Sequence, residues 1–326
     1  MSEGGLTVFD GTHLRAVDLS LPQSDHIVTG AQVLELAESS ASSSLFGLSL
    51  PESLKSSALK RIDVDAVSFR RTELHRDQAS AKLKEYVTAI ADELKDDPLV
   101  VAILDGKTLR LFMEDEDDFA MLAENLFTDL DTEDKGKISK NEIRNALVHM
   151  GVEMGIPPFS EFPQLNDILK KHGAEGEEEL GQAQFAQLLQ PVVQELADAL
   201  SKKHVVVIQN IRIINGSKLR KLLSAEKQLN EVIEKILQDM HSAKDGQRST
   251  EVIRGFLERN SKELGLPPSE AEEAVVLLYD AVFADVEQRN SVAGSGKDEV
   301  GVLVKQILEN FVEQLEASPV FHDQGN

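Results

Sequence analysis

The chain of 326 residues contains no cysteine and no tryptophan. Disulfides and thiolate metal sites are therefore excluded, and nothing points to secretion. Aromatic residues make up 5%, so the cores have to be built from Leu, Ile, Val and Phe. Cations are scarce as well: 34 Lys and Arg stand against 57 Asp and Glu, a net charge of -23. Such a chain repels nucleic acid and anionic lipid and suits cations or basic partner surfaces. No apolar run approaches the length of a membrane span, and Ser2 rather than Gly follows Met1, so the N-myristoylation pattern is missing. A cytoplasmic protein, also compatible with the nucleus, is expected, with no nucleic-acid or membrane partner. The sequence does not address its oligomeric state.

Catalytic patterns are missing too. There is no Gly-x-Ser-x-Gly and no HExxH, and Gly294-Ser295-Gly296-Lys297 lacks the spacing and the preceding strand of a P-loop. The eight histidines are scattered, and His149 and His172 fit helix surfaces or ends. The chain is read as a non-enzyme.

What is present is an internal repeat. Shifted by 110 residues, the chain matches itself without a gap from Leu104 to Pro158. Asp105-Gly106 meets Asn215-Gly216, Leu109-Arg110 meets Leu219-Arg220, Gly136 meets Gly246, and Gly155, Pro157 and Pro158 meet Gly265, Pro267 and Pro268. A worn third copy begins at Phe9-Asp10-Gly11 and continues to Gly47-Leu48 and Pro51. It is 13 residues shorter between its glycines, 36 from Gly11 to Gly47 against 49 from Gly106 to Gly155. That deficit is about one metal loop, so this copy is expected to lack one, with Ser-rich Glu38 to Ser44 as a flexible connector. The runs Leu99 to Leu104 and Val205 to Ile214, each closing on Asp-Gly or Asn-Gly, predict strands. The remainder has helical period. The expected fold is mainly α: helix–loop–helix repeats with short strands at the seams, in modules 1–98, 99–204 and 205–326.

One loop carries oxygen ligands at a spacing with known metal chemistry. Asp131 to Glu142, DTEDKGKISKNE, fits the twelve-residue EF-hand calcium loop. Asp131 stands at position 1, Glu133 at 3, Gly136 at the sharp turn, Lys137 at 7 with its backbone carbonyl, Ser139 at 9 to hold a water, and Glu142 at 12 as a bidentate ligand. Lys135 at position 5 supplies no oxygen and brings a like charge, so a single weak calcium site is expected. The flanking helices are amphipathic: Ala123, Leu126, Phe127 and Leu130 before the loop, Ile143, Ala146, Leu147 and Met150 after it. Met154 extends the second face, and Pro157-Pro158 is expected to stop that helix. The acidic run Asp115, Asp117 and Asp118 reads as a helix cap rather than a metal site.

Three further loops are weaker. Gly173 to Gln184 has Gly and Gln at positions 1 and 12, with Leu180 where Ile138 sits. His241 to Val252 lacks acids at positions 1, 3 and 12. Glu287 to Glu299 is one residue long in register and rich in Gly and Ser. Met113, Met121, Met150 and Met154 cluster in the second repeat, as core residues or as an adaptable groove.

The strand Asp97-Pro98-Leu99-Val100-Val101 with Asp105-Gly106 and Leu109, and the break Gly155-Ile156-Pro157-Pro158, resemble features of a plant family of tandem EF-hand calcium-binding proteins, which includes calcium sensors of SNF-related stress kinases. The resemblance implies a calcium sensor that binds a protein kinase and restrains it in a calcium-dependent way. Asp131, Gly136, Ser139 and Glu142 match the general EF pattern; Glu133 and Lys135 depart from it. Two functional readings stand: a calcium-responsive protein that engages a protein partner, and a calcium-independent adaptor whose loops are all silent. A calcium buffer is disfavoured by the low capacity of one weak site.

Overall fold

The computed structural model describes residues 6–21, 27–242, 248–269, 272–289 and 297–324. In the first repeat β1 (Leu6–Phe9) turns through Asp10-Gly11 into α1 (Thr12–Arg15). β2 (Val28–Thr29), α2 (Gly30–Ser44), α3 (Glu52–Arg61), α4 (Ala66–Arg70), β3 (Glu73–Leu74) and α5 (Arg76–Asp96) follow. The second repeat has β4 (Leu99–Leu104), α6 (Lys107–Glu114), α7 (Glu116–Leu130), β5 (Ile138–Ser139) and α8 (Glu142–Met150). A 3₁₀ turn at Val152–Met154 leads to α9 (Gln164–Lys171), β6 (Glu179–Leu180) and α10 (Gln182–Lys202). The third comprises β7 (Val205–Ile214), α11 (Ser217–Ser224), α12 (Glu226–Ser242), α13 (Ser249–Arg259), α14 (Ser261–Leu264), α15 (Glu273–Arg289), α16 (Lys297–Ala317) and β8 (Val320–Asp323). The fold is mainly helical. Among the described residues no helix is long and apolar enough to cross a membrane.

A shared device starts each repeat. The Asx side chain after the strand accepts a backbone N–H two residues on: Asp10 Oδ1 from Thr12 at 2.9 Å, Asp105 Oδ1 from Lys107 at 3.0 Å, and Asn215 Oδ1 from Ser217 at 3.1 Å. The glycine between them takes a left-handed φ, 80° at Gly106 and 77° at Gly216. That opens the next helix and leaves the glycine flat against a long helix of 21 residues. In all three repeats the glycine meets the sixteenth residue of that helix: Ala91 in α5, Ala197 in α10 and Val312 in α16. A Cβ at Gly106 would lie 2.3 Å from the Ala197 carbonyl oxygen.

By contacts the chain forms two compact units. The first comprises the described residues within Met1–Phe9, His13–Ala89 and Val100–Gln209; the second those within Asp10–Thr12, Ile90–Leu99 and Asn210–Asn326. The last four residues of β7 pair antiparallel with β8, Ile211 opposite Asp323 through Ile214 opposite Val320. One apolar core runs from Ala102 to Val205 and gathers Phe127, Leu147, Leu165, Phe185 and Leu196. The other runs from Ile214 to Leu315 and closes on Tyr279 and Phe283 packed edge-on to Phe311.

Two expectations are corrected. Glu38 to Ser44 is not a flexible connector but the second half of α2. Ala37 and Ala41 are fully buried on its inner face, and Ser43 and Ser44 donate their hydroxyls to the carbonyls of Ser39 and Ser40, four residues back. A capping box starts this helix: the Gln32 N–H donates to Thr29 Oγ1 while Thr29 N–H donates to Gln32 Oε1. Replacing Thr29 by Ala is expected to cost about 1 kcal/mol, read as a lowered urea midpoint of the full chain. An unchanged midpoint would show that the box adds no stability. The second correction concerns α8, which ends at Met150 rather than running to Pro157-Pro158. Gly151, with φ 61° and ψ -173°, breaks it first and leaves Met154 in the 3₁₀ turn.

Candidate metal loop and its partner loop

α7 aims the loop. Asp115 caps it by accepting the N–H groups of Asp117 at 2.9 Å and Asp118 at 3.1 Å, so the acidic run is a cap. At the far end Asp131 folds the chain back over itself. Its Oδ1 accepts the Lys135 N–H at 2.9 Å and its Oδ2 the Gly136 N–H at 2.6 Å. Asp134 and Gly136 take left-handed φ values of 51° and 69° to make the turn.

The loop then meets Gly173 to Gln184 across a two-residue antiparallel bridge, Ile138 opposite Leu180 and Ser139 opposite Glu179. Both apolar partners are buried. Around the bridge the loops are sewn together. Ser139 Oγ donates to the Gly176 carbonyl at 3.0 Å and accepts from Asn141 N–H at 3.2 Å. Asn141 Oδ1 accepts from Gly176 N–H at 2.8 Å, and its Nδ2 donates to Glu177 Oε1 at 3.0 Å. The Lys140 N–H donates to the Glu178 carbonyl at 2.9 Å, and its ammonium pairs with the Glu178 carboxylate.

Of the five sequence-assigned ligands, the structure joins Ser139 to the partner loop and turns Asp131 onto the loop amides. Glu133 is ion-paired with Lys135, an interaction that raises the Lys135 ammonium above its ordinary pKa. Glu142 Oε2 accepts from Asn145 Nδ2 at 2.8 Å. Lys137 is exposed, its Nζ 4.0 Å from Glu179. Among the described residues no group of three or more His, Asp or Glu side chains is gathered as a metal cluster.

The partner loop has a different use for its carboxylates. Glu177 and Glu178 reach across to Asn141 and Lys140, and Glu179 faces Lys137. Gln184, at its position 12, instead caps α10 by accepting the Gly181 N–H at 3.1 Å. Sequence reasoning missed Asn141 and Glu178. The signal available was the run of three glutamates from Glu177 to Glu179, with Glu175 just before it, opposite a loop carrying Lys135, Lys137 and Lys140.

The same bridge recurs in the first repeat, where β2 pairs antiparallel with β3, Val28 opposite Leu74 and Thr29 opposite Glu73. Gly11 to Val28 spans 17 residues and Gly106 to Ile138 spans 32. The deficit of the first repeat therefore falls before its bridge, and the bridge and the helix after it are kept. In the third repeat the centres of His241 to Val252 and of Glu287 to Glu299, with Gly294-Ser295-Gly296, lie outside the described residues. Thr250 donates to Glu287 Oε1 at 2.8 Å between the flanks of those two loops.

His172 and Lys171 end α9, where both bind Glu195, His172 Nε2 at 2.6 Å and Lys171 Nζ at 2.7 Å. Lys171 first and His172 second hold that carboxyl below its ordinary pKa. A scan against protein-family models and searches of curated proteins and of solved structures each give no match for this chain.

Proposed function

We propose that α7 to α10 form an EF-hand pair that binds one calcium ion through Asp131 to Glu142 and uses it to regulate contact with a protein partner, a protein kinase on the family resemblance. The observation that carries this reading is the buried Ile138–Leu180 bridge between the eighth positions of two twelve-residue loops. It couples the loops without using any of the assigned side-chain carboxylates.

The present partners of those carboxylates oppose binding only weakly. Exposed ion pairs such as Glu133–Lys135 are largely screened by solvent. A calcium site with a Kd on the order of 10⁻⁵ to 10⁻⁴ M supplies roughly 5–7 kcal/mol. Turning Glu133 and Glu142 inward therefore takes a small part of the binding free energy. Lys135 is the larger obstacle, since it replaces a ligand with a cation. Ligation at Glu142 would pull the start of α8, and Leu147 and Met150, now 0% and 3% exposed, would be the apolar surface presented to a partner. The strongly acidic chain suits a basic partner face. This reading contains no catalytic step and places the protein in the cytoplasm, where calcium signals act.

Calorimetric titration of the full chain tests it. The intact protein is expected to bind one calcium with Kd on the order of 10⁻⁵ to 10⁻⁴ M, at or below the weak end of sensor sites. Glu142→Gln should weaken binding by at least about tenfold, and Lys135→Asp should tighten it by about as much. No heat for intact protein or Lys135→Asp at millimolar calcium would sink the proposal. That result would leave the second reading, a calcium-independent adaptor, which the Glu133–Lys135 pair favours because it satisfies the loop without metal. Affinity capture with and without calcium would then identify the partner and the sign of its response.

A further inference from the structure

Unit two contains a cleft of about 350 Å³ between the β7–β8 ladder and the turn from α14 to Pro268. Arg212, Lys262 and His322 line it together with Ser261, and no acidic residue does. In a chain of net charge -23 this is an unusual local composition. Arg212 and His322 stand directly opposite each other across the strand pair, where side chains come within about 5 Å. Other arginines of this unit are neutralised: Arg220 by Glu316, Arg254 by Asp280 and Glu258, and Arg259 by Asp239. Among the described residues no carboxylate is ion-paired with Arg212 or Lys262. Ser261, 7% exposed, is the one buried polar residue among the described residues and lines this cleft.

The repeat shows that the scaffold does not require these cations. In the 110-residue register Arg212 corresponds to Ala102, Lys262 to Val152 and the neighbouring Lys218 to Thr108, while Leu266 and Pro268 correspond to Ile156 and Pro158. The apolar frame is common to both repeats and the basic residues belong to the third alone. They also repel one another. Burial first, and the Arg212 guanidinium second, push the Lys218 ammonium below its ordinary pKa, against weaker opposition from Asp97 and Glu263.

We infer that this cleft binds the phosphoryl group of a small molecule, with Arg212 and Lys262 as its charged donors and His322 and Ser261 as further polar partners. A guanidinium fork, an ammonium, an imidazole and a hydroxyl match the three acceptor oxygens of a phosphoryl dianion better than the two of a carboxylate. The volume is at the small end of ligand sites, roughly 300–1,000 Å³.

The test is calorimetric titration of the full chain with inorganic phosphate and, separately, with O-phosphoserine, with chloride balancing the ionic strength. Saturable binding in the millimolar range or tighter is expected. It should weaken by about tenfold or more in Arg212→Gln, near the low end for a hydrogen bond to a charged group, and by about threefold in Lys262→Gln, whose exposed ammonium is screened by solvent. Arg212→Lys should fall between, because the charge remains and the planar fork is lost. Tighter binding of O-phosphoserine identifies an ester as the ligand, and equal binding identifies free phosphate; both support the site. Lys262 is exposed, so its variant reports on binding even where a melting curve shows Arg212→Gln to be destabilised. No saturable heat with either probe, or unchanged affinity in both glutamine variants, would overturn the inference. It is independent of calcium, and Glu142→Gln should bind phosphate as the intact protein does.

Discussion

Gly106→Ala should destabilise the first unit by about 4 kcal/mol, a large fraction of the 5–15 kcal/mol that roughly holds a domain folded. Two effects add. A Cβ at this position would sit 2.3 Å from the Ala197 carbonyl oxygen and within 3.0 Å of its carbonyl carbon and Cα. The atoms it meets are backbone within the later turns of α10, so no side chain can rotate away and the turn or the helix has to shift. The φ of 80° adds roughly 1–2 kcal/mol for any residue with a Cβ. Gly136→Ala is the internal control. Its φ of 69° is similar but nothing lies within 4 Å, so only the conformational cost of about 1 kcal/mol remains. Urea denaturation followed by circular dichroism would rank the two. Equal losses would show that the close approach to α10 has no energetic weight.

Phe185→Ala is the second large effect, at about 3–5 kcal/mol. Phe185 is fully buried at the start of α10, with its ring edge-on to Phe127 at 5.7 Å between centroids. Phe127 lies on the last turn of α7, just before the candidate calcium loop, whereas Phe185 follows the partner loop. Truncation therefore opens a cavity at the point where both helix–loop–helix halves meet and also loses the aromatic pair, worth about 0.5–1.5 kcal/mol beyond area. Fluorescence of a bound apolar dye together with the denaturation midpoint would follow it. A loss below about 1 kcal/mol would mean that the site collapses freely, against the packing described.

Much of this architecture was legible in the residues because the repeat supplies two readings of one pattern. Leu99 to Leu104 and Val205 to Ile214 are strands at the predicted bounds, since β-branched runs ending in Asx-Gly leave few alternatives. The acidic cap at Asp115 followed from charge at a helix start. Other features were hidden for physical reasons. Serine is a poor helix former, so Glu38 to Ser44 read as a connector. Burial of Ala37 and Ala41 overrides that propensity, although Thr29 and Gln32 already spelled a capping box. The proline pair masked Gly151, which breaks α8 earlier without needing a change of sequence pattern. At the candidate site the spacing of Asp131, Glu133, Lys137, Ser139 and Glu142 was readable. What each carboxylate does without metal was not, because it depends on Lys135, Asn145 and the loop amides.

The seating of Gly106 on the sixteenth residue of α10 has a consequence for how the protein is made. Gly106 and Ala197 are 91 residues apart, and the Arg110–Asp198 ion pair beside them spans 88. Closing so long a segment loses backbone entropy before any contact returns it. While the ribosome is still adding α10, the opening strand and turn of this repeat have nowhere to dock. The nascent chain must hold α6 to α9 unfinished until the last turns of α10 leave the exit tunnel. Ribosomes stalled before Ala197 should therefore carry a protease-sensitive second repeat, and those stalled well beyond it a protected one.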